Sequence, residues 1–295
     1  MLKSYSAHQE DKKVIKALKI IGNRNLNKEC CEFGAWDGKF LSNTFILIKK
    51  KKFSGLLIEC DKERYIDLCN NLPEERVKKL NTFINNKGKN SLDYFIKTKK
   101  FSKNIDFLSI DIDGNDYHIF KNLNYTKPKI ICIEYNRTFP IDFEYVQKED
   151  FRVKQGSSAC SMLKLAKKKG YFLYDCTPDN LILINEKYKK TFSKLMNFQS
   201  VEKKLSNFIV HNSISYGFDN SLITRRPINL YWHSQNNQNL PIKVQILPRF
   251  LTRFHDDYNI VQRILFYIFM FFRYPKKYLL NPIKYLKILL FLKRY

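Results

Sequence analysis

The 295-residue sequence is short of acid: 28 Asp and Glu stand against 53 Lys and Arg, a formal net charge of +25. It also lacks any apolar run long enough to cross a bilayer. The stretch Ile264 to Phe272 is only nine residues between two arginines, where about 20 are needed. The segment from Met1 to Lys19 has no unbroken apolar core of the kind a secretory signal carries. No CxxC pair or Cys/His cluster is present, which argues against zinc. There is likewise no HExxH, no GxxxxGK[ST] and no coherent Ser/His/Asp order. The seven cysteines are odd in number and mostly sit inside apolar runs such as Ile130-Ile131-Cys132-Ile133, as small buried thiols do in a reducing compartment. These absences lead to the expectation of a cytoplasmic protein.

What is present is globular. With 44% hydrophobic and 15% aromatic residues, the chain is neither a disordered polybasic tail nor a fibrous repeat. Its charge is uneven. Residues 101–150 hold six basic and nine acidic side chains, a local net of −3, whereas residues 241–295 hold eleven basic and two acidic, a net of +9. A basic excess of this size points to an anionic partner, and the acidic island asks for a separate explanation.

Apolar runs alternate with helical periodicity along the first two thirds. Residues 11–21 read as an amphipathic helix. Cys30 to Phe33, Gly55 to Glu59, Asn81 to Ile84, Asp106 to Ile112 and Lys129 to Tyr135 read as strands, with helices at 61–72, about 115–123 and 161–170. Gly170 stands in the stop position of the last helix, and residues 171–176 and 181–185 read as a terminal strand pair. Continuous apolar strands alternating with helices predict an α/β fold: a Rossmann-like, doubly wound, mostly parallel sheet covered on both faces. The expected organisation is such a domain over 1–190, a linker or docking segment over 191–257, and a basic, aromatic helical extension over 258–295.

In this architecture ligands bind beyond the carboxyl ends of the strands. The first strand ends Glu32-Phe33-Gly34-Ala35-Trp36-Asp37-Gly38, where Gly34 and Gly38 let backbone approach a ligand. The second ends at Glu59, about 20 residues on, where a carboxylate can accept both hydroxyls of a ribose. Dinucleotide sites use G-x-G-x-x-G to cradle a pyrophosphate, which Glu32 and Asp37 would repel. Those two acids suit a cationic ligand, S-adenosylmethionine. Asp111 and Asp113 share a face two residues apart at the end of the next strand, and Glu134 and Asn136 repeat that spacing on its neighbour. Such groups can take a proton from a hydroxyl, with Asp111 and Asp113 as candidate bases. They can also hold a hard cation such as Mg²⁺, with Asp111, Glu134 and Asn136 as the expected ligands. Asp116 reads as a turn or cap residue, His118 as a packed or surface histidine, and Ser157-Ser158 as a helix cap.

The runs EFGAWDGKFLSNT (32–44), LLIECD (56–61), NSLDYFI (90–96), DFLSIDIDGNDY (106–117), CIEYN (132–136) and KGYFL (169–173) resemble the FkbM-like branch of S-adenosylmethionine-dependent methyltransferases over roughly residues 25–190. The resemblance implies a Rossmann-like methyltransferase fold, with Glu32, Gly34 and Gly38 in the cofactor loop, Glu59 on the ribose and Asp111 facing the reacting centre. It also implies O-methylation of a sugar or other small hydroxyl compound, often in surface-polysaccharide synthesis. An RNA methyltransferase using the basic surface, and a non-catalytic scaffold, are the alternatives.

After Asp257 the sequence has eight Lys and Arg and no acid. Cations bracket the apolar patches 264–272 and 284–295, the pattern of helices lying in an anionic membrane interface. An anionic membrane surface through residues 258–295 is therefore the favoured macromolecular partner, beside a small-molecule or glycan acceptor. Packing on the α/β core or on a second copy in a homodimer is the alternative. Nucleic acid fits poorly, because continuous apolar runs replace the polar residues and isolated aromatics that stack bases.

Overall fold

Short runs of β-branched and apolar residues, each followed by an acid or an amide, build the centre of the sheet in the computed structural model. The structure describes residues 3–209, 214–216, 222–224, 249–251, 258–273, 275 and 279. In chain order come Glu10–Ile21 (α1), Glu29–Phe33 (β1), Phe45–Lys51 (α2), Ser54–Glu59 (β2), Lys62–Asn71 (α3), Val77–Asn81 (β3), Leu92–Thr98 (α4) and Phe107–Ile110 (β4). Asp116–Asn122 (α5), Ile130–Glu134 (β5), Ala159–Lys168 (α6), Tyr171–Cys176 (β6), Asn180–Asn185 (β7), Lys189–Ser193 (α7) and Phe198–Phe208 (α8) follow.

The seven strands form one sheet in the order β3-β2-β1-β4-β5-β7-β6. The first five are parallel, and β7 runs antiparallel to both β5 and β6. This is the expected mostly parallel, doubly wound sheet. Its order reverses at β1, which pairs with β2 on one side and β4 on the other, and the crevice for a ligand opens at that reversal.

Alternation along each strand sends side chains to two apolar layers. Phe33, Ile58, Leu108, Ile110 and Ile133 pack with Ile96, Phe120 and Met162 from α4, α5 and α6. Cys30, Leu57, Cys132 and Ile182 pack on the other face with Leu18, Leu47 and Phe192 from α1, α2 and α7. Each fully buried Leu, Ile or Phe contributes about 1.5–3 kcal/mol relative to exposure, so both faces hold the sheet flat against helices. At the amino end of the sheet Asp106, wholly buried, accepts from the backbone N–H groups of Asn27 and Glu29 and from Lys129 Nζ at 2.5 Å.

Two expectations need correction. The third strand is Val77–Asn81, before the apolar residues 82–84: β3 is an edge strand that carries an exposed Lys78 and a half-buried Lys79, and edge strands carry such charges against unwanted pairing. The first compact unit also runs past residue 190, comprising Met1–His211 and Ile228–Asn236. Its α7 and α8 bury Phe192 and Leu205, and Lys204 pairs with Asp175 of β6 at 2.5 Å, so two short helices beyond residue 190 pack in this unit.

The second unit comprises Asn212–Pro227 and Asn237–Tyr295. Its described elements are an antiparallel pair, Ile214–Tyr216 (β8) with Leu222–Thr224 (β9), and the helix Ile260–Arg273 (α9). Within it Tyr258 Oη donates to the Leu251 carbonyl. Residues 252–257 of the expected linker or docking segment and the second apolar patch at 284–295 lie outside the described residues. Among those described, no helix is long and apolar enough to cross a membrane.

Candidate active site

A pocket of about 580 Å³ opens at the carboxyl ends of β1, β2, β3 and β4. Glu32, Gly34, Glu59, Asp111 and Asp113, all expected from sequence, line it together. Gly34 has φ +71, and a Cβ there would stand 1.9 Å from the Asp111 carbonyl oxygen. Only glycine allows the β1 loop and the β4 end to meet this closely.

Glu59 braces the loop while facing the pocket. Its Oε2 accepts from Trp36 N at 2.8 Å and its Oε1 from Asp61 N at 2.8 Å. A carboxylate has acceptor capacity beyond two bonds, so ribose hydroxyls can share it. Glu32 is buried and accepts from Ser42 Oγ at 2.7 Å, Asn43 N at 2.8 Å and Thr44 Oγ1 at 2.5 Å. Burial raises its carboxyl above the usual range despite these three bonds. It ties the segment before α2 to the end of β1.

Asp37 and Gly38 are placed differently from expectation, outside the pocket lining. Asp37 Oδ1 accepts from Lys39 N at 2.8 Å and Phe40 N at 2.6 Å, closing its own turn. Gly38 packs on α3, where a Cβ would lie 2.3 Å from Leu68 Cδ1. These two residues shape the loop after β1 from behind.

The acidic end is crowded. Carboxylate oxygens of Asp111, Asp113 and Glu134 lie within 4.8 Å of one another. Burial pushes Asp111 well above the usual carboxylate range, reinforced by Asp116, Asp113, Glu32 and Glu10. Glu134 is shifted the same way, by burial and then by Asp111, Asp116 and Asp113. It is 3% exposed, and its Oε2 has no hydrogen-bond partner among the described residues. Asn136 leaves the expected ligand set: its Oδ1 accepts from Thr138 N at 2.8 Å and Thr138 Oγ1 at 2.7 Å, and its Nδ2 donates to the Gln155 carbonyl at 2.6 Å. The loop after β5 engages both ends of the amide, and Asp113, not Asn136, stands with Asp111 and Glu134.

Asp116 braces the turn, accepting from Ile112 N at 3.1 Å and Gly114 N at 2.9 Å, with its carboxyl pushed up to about 7 chiefly by burial. His118 is buried with Nε2 2.7 Å from the Gln147 carbonyl oxygen. Ser158 caps α6 by accepting from Ser161 N.

Several lining residues escaped the sequence reading. Trp36, Phe40, Leu41 and Phe83 are exposed apolar side chains around the mouth, and Phe151 and Lys154 arrive from the loop between β5 and α6. Arg64 lies 4.4 Å from the Trp36 ring centroid. Trp36, Leu41 and Asp113 hold left-handed backbone, φ 50, 55 and 55, at a cost that sites of function commonly bear. Exposed aromatics beside a glycine loop were the one available signal. The acid Glu10 of α1 had none, because its approach to Asp111 is a tertiary accident of how α1 crosses the sheet.

Residues 86–173 match the model of the Methyltransferase FkbM domain. No curated protein sequence matches the chain. Among solved structures, magnesium protoporphyrin IX methyltransferase from Synechocystis PCC 6803 with bound SAH is 7% identical, aligned over 59% of this chain and 82% of its own, with a TM-score of 0.37. A S-adenosylmethionine-dependent methyltransferase from Clostridium acetobutylicum ATCC 824 is 13% identical over 61% and 92%, with a TM-score of 0.38. A TehB-like SAM-dependent methyltransferase from Corynebacterium glutamicum is 8% identical over 60% and 86%, with a TM-score of 0.36.

Proposed function

We propose that this chain, whose residues 86–173 match the Methyltransferase FkbM domain, is an S-adenosylmethionine-dependent enzyme that methylates a hydroxyl of a sugar or glycolipid intermediate in surface-polysaccharide synthesis. The observation that supports this reading most is the single pocket shared by the glycine loop, Glu59 and the Asp111-Asp113 pair. Glu59 serves the ribose, and the acidic lining suits the sulfonium and ammonium of the donor. Aromatic faces at the mouth offer apolar surface to an acceptor ring.

Transfer is a displacement at the methyl carbon. The acceptor oxygen forms the new C–O bond, the C–S bond breaks with its electron pair going to sulfur, and the hydroxyl proton passes to the Asp111 carboxylate. A carboxylate held above its ordinary range is a better acceptor for that proton. The protein otherwise contributes position. Asp111, Asp113 and Glu134 also suit a divalent cation, since they are hard oxygen donors and Glu134 Oε2 lacks a partner. Such an ion, when bound, lowers the hydroxyl pKa.

Calorimetry with S-adenosylmethionine and its demethylated product tests the donor assignment. Binding is expected, weakened about 10- to 100-fold in Glu59→Ala; no heat from either compound refutes it. Methyl transfer to sugar acceptors before and after EDTA tests the cation, and full activity after chelation removes it.

The proposal extends to location. In α9 the residues Val261, Ile264, Leu265, Ile268, Phe271 and Phe272 are exposed at helical spacing, in a segment with no acid after Asp257. That combination of apolar stripe and positive charge fits an anionic bilayer surface on the cytoplasmic face. Flotation with phosphatidylglycerol vesicles should be lost on truncation at residue 257; equal recovery in the soluble fraction defeats the idea.

A further inference from the structure

We propose that a second cavity, at the amino end of the sheet, binds a phosphoryl group. The cavity has a volume of about 660 Å³ and is lined by Lys121, Thr126, Lys127, Lys168, Lys169 and Tyr171, among others. Its walls are the last turns of α5 and α6 and the loop leading into β5, so it lies at the opposite end of the strands from the active-site pocket.

Helix C-termini attract cations through their free carbonyls, and that accounts for one lysine here. Lys169 Nζ donates to the Lys121 carbonyl at 3.0 Å and lies 5.7 Å from the Phe120 ring centroid. The others are surplus. Lys121, Lys127 and Lys168 are exposed and make no ion pair among the described residues, and of the lining cations only Lys164 has one, with Glu144. The neighbouring acid Asp93 is committed to backbone: its two oxygens accept from the N–H groups of Asn124, Tyr125 and Thr126 at 2.7–2.8 Å, fixing the loop. Burial lowers the Lys169 ammonium below its usual range, and Lys127 and Lys168 repel it further, while Asp93 opposes them. An anion in the cavity relieves that repulsion.

An independent observation points to the same ligand chemistry. Thr126 is 2% exposed, lines the cavity, and its Oγ1 has no hydrogen-bond partner among the described residues. A buried hydroxyl wants an acceptor. A phosphoryl oxygen supplies one while its charge meets Lys127 and Lys168, and a hydroxyl beside ammonium groups is a common phosphate-binding set. A free pyrophosphate and a phospholipid headgroup share this chemistry.

The test is calorimetric titration of the full chain with inorganic pyrophosphate at low salt, using wild type, Lys127→Gln/Lys168→Gln, Thr126→Val and Thr126→Ser. Both lysines are exposed, so the double variant should fold, and unchanged binding of the demethylated cofactor at the other end of the sheet checks that it does. Expected are binding by wild type, weakening of at least about tenfold in the double variant and in Thr126→Val, and near-wild-type affinity in Thr126→Ser. A parallel arm uses phosphatidylglycerol vesicles. Vesicle binding that falls in the double variant and is competed by pyrophosphate identifies a headgroup as the source; vesicle binding indifferent to the variant leaves the soluble phosphate as the ligand. If neither pyrophosphate nor vesicles distinguish the double variant from wild type, the proposal is overturned.

Discussion

The two ends of the sheet are opposites. At the carboxyl end, Glu32, Glu59, Asp111, Asp113 and Glu134 gather where strands stop and loops turn. At the amino end, Lys121, Lys127, Lys168 and Lys169 surround a cavity where helices stop. Both sets gather like charge, but their burial differs. Glu32, Asp111 and Glu134 have carboxyls raised chiefly by burial, whereas three of the four lysines are exposed. Water screens the lysines, so their clustering costs the fold little. Burial leaves Glu32, Asp111 and Glu134 less screened, and their crowding is a standing cost to stability that function has to justify.

Breaking the acidic end should therefore separate activity from stability. Asp111→Asn is expected to lower kcat/KM about 10²- to 10⁴-fold while donor affinity changes little, because the proton acceptor is lost. It should raise the thermal midpoint near neutral pH, since one repelling charge is gone. A fall in midpoint together with activity would assign Asp111 to structure alone. Gly34→Ala is next, with a loss of about 3 kcal/mol or more in urea unfolding from strained backbone and collision with the Asp111 carbonyl.

The Asp116 carboxyl sharpens the comparison through pH. Its folded-state pKa, about 7, lies above the ordinary carboxylate value. The native state then holds its proton more tightly than the unfolded chain does. The contribution is fully present below the unfolded value and is lost as pH rises to about 7. Thermal midpoints should accordingly decline over that window in wild type and less in Asp116→Asn; parallel curves would remove Asp116 as the cause. The smallest effect belongs to the basic end, where Lys127→Gln should change stability by no more than about 0.5 kcal/mol at any pH between 5 and 8.

Much of the fold was legible because its strands are apolar on both faces. Runs such as FLSI and IICIE admit few other readings once helices alternate with them. The edge strand β3 was missed for the complementary reason, since VKKLN carries the charge that protects an edge. Helix α8 was missed because a single residue, Leu205, is its fully buried anchor. In the site, acids directly after strands were found where they stand. Asn136 looked equivalent to Asp113 by spacing, and only the fold of the following loop, which takes both ends of its amide, tells them apart.

The sequence alone determined the doubly wound sheet, the position of the acids at its carboxyl end and the division of charge along the chain, because strand periodicity and chain order are local properties. Tertiary structure decided which acids meet, that Asp37 and Gly38 serve the loop from behind, and that lysines dispersed from residue 121 to 169 surround one cavity. Those outcomes depend on distances between segments remote in sequence, which packing of helices on the sheet sets and no local pattern encodes.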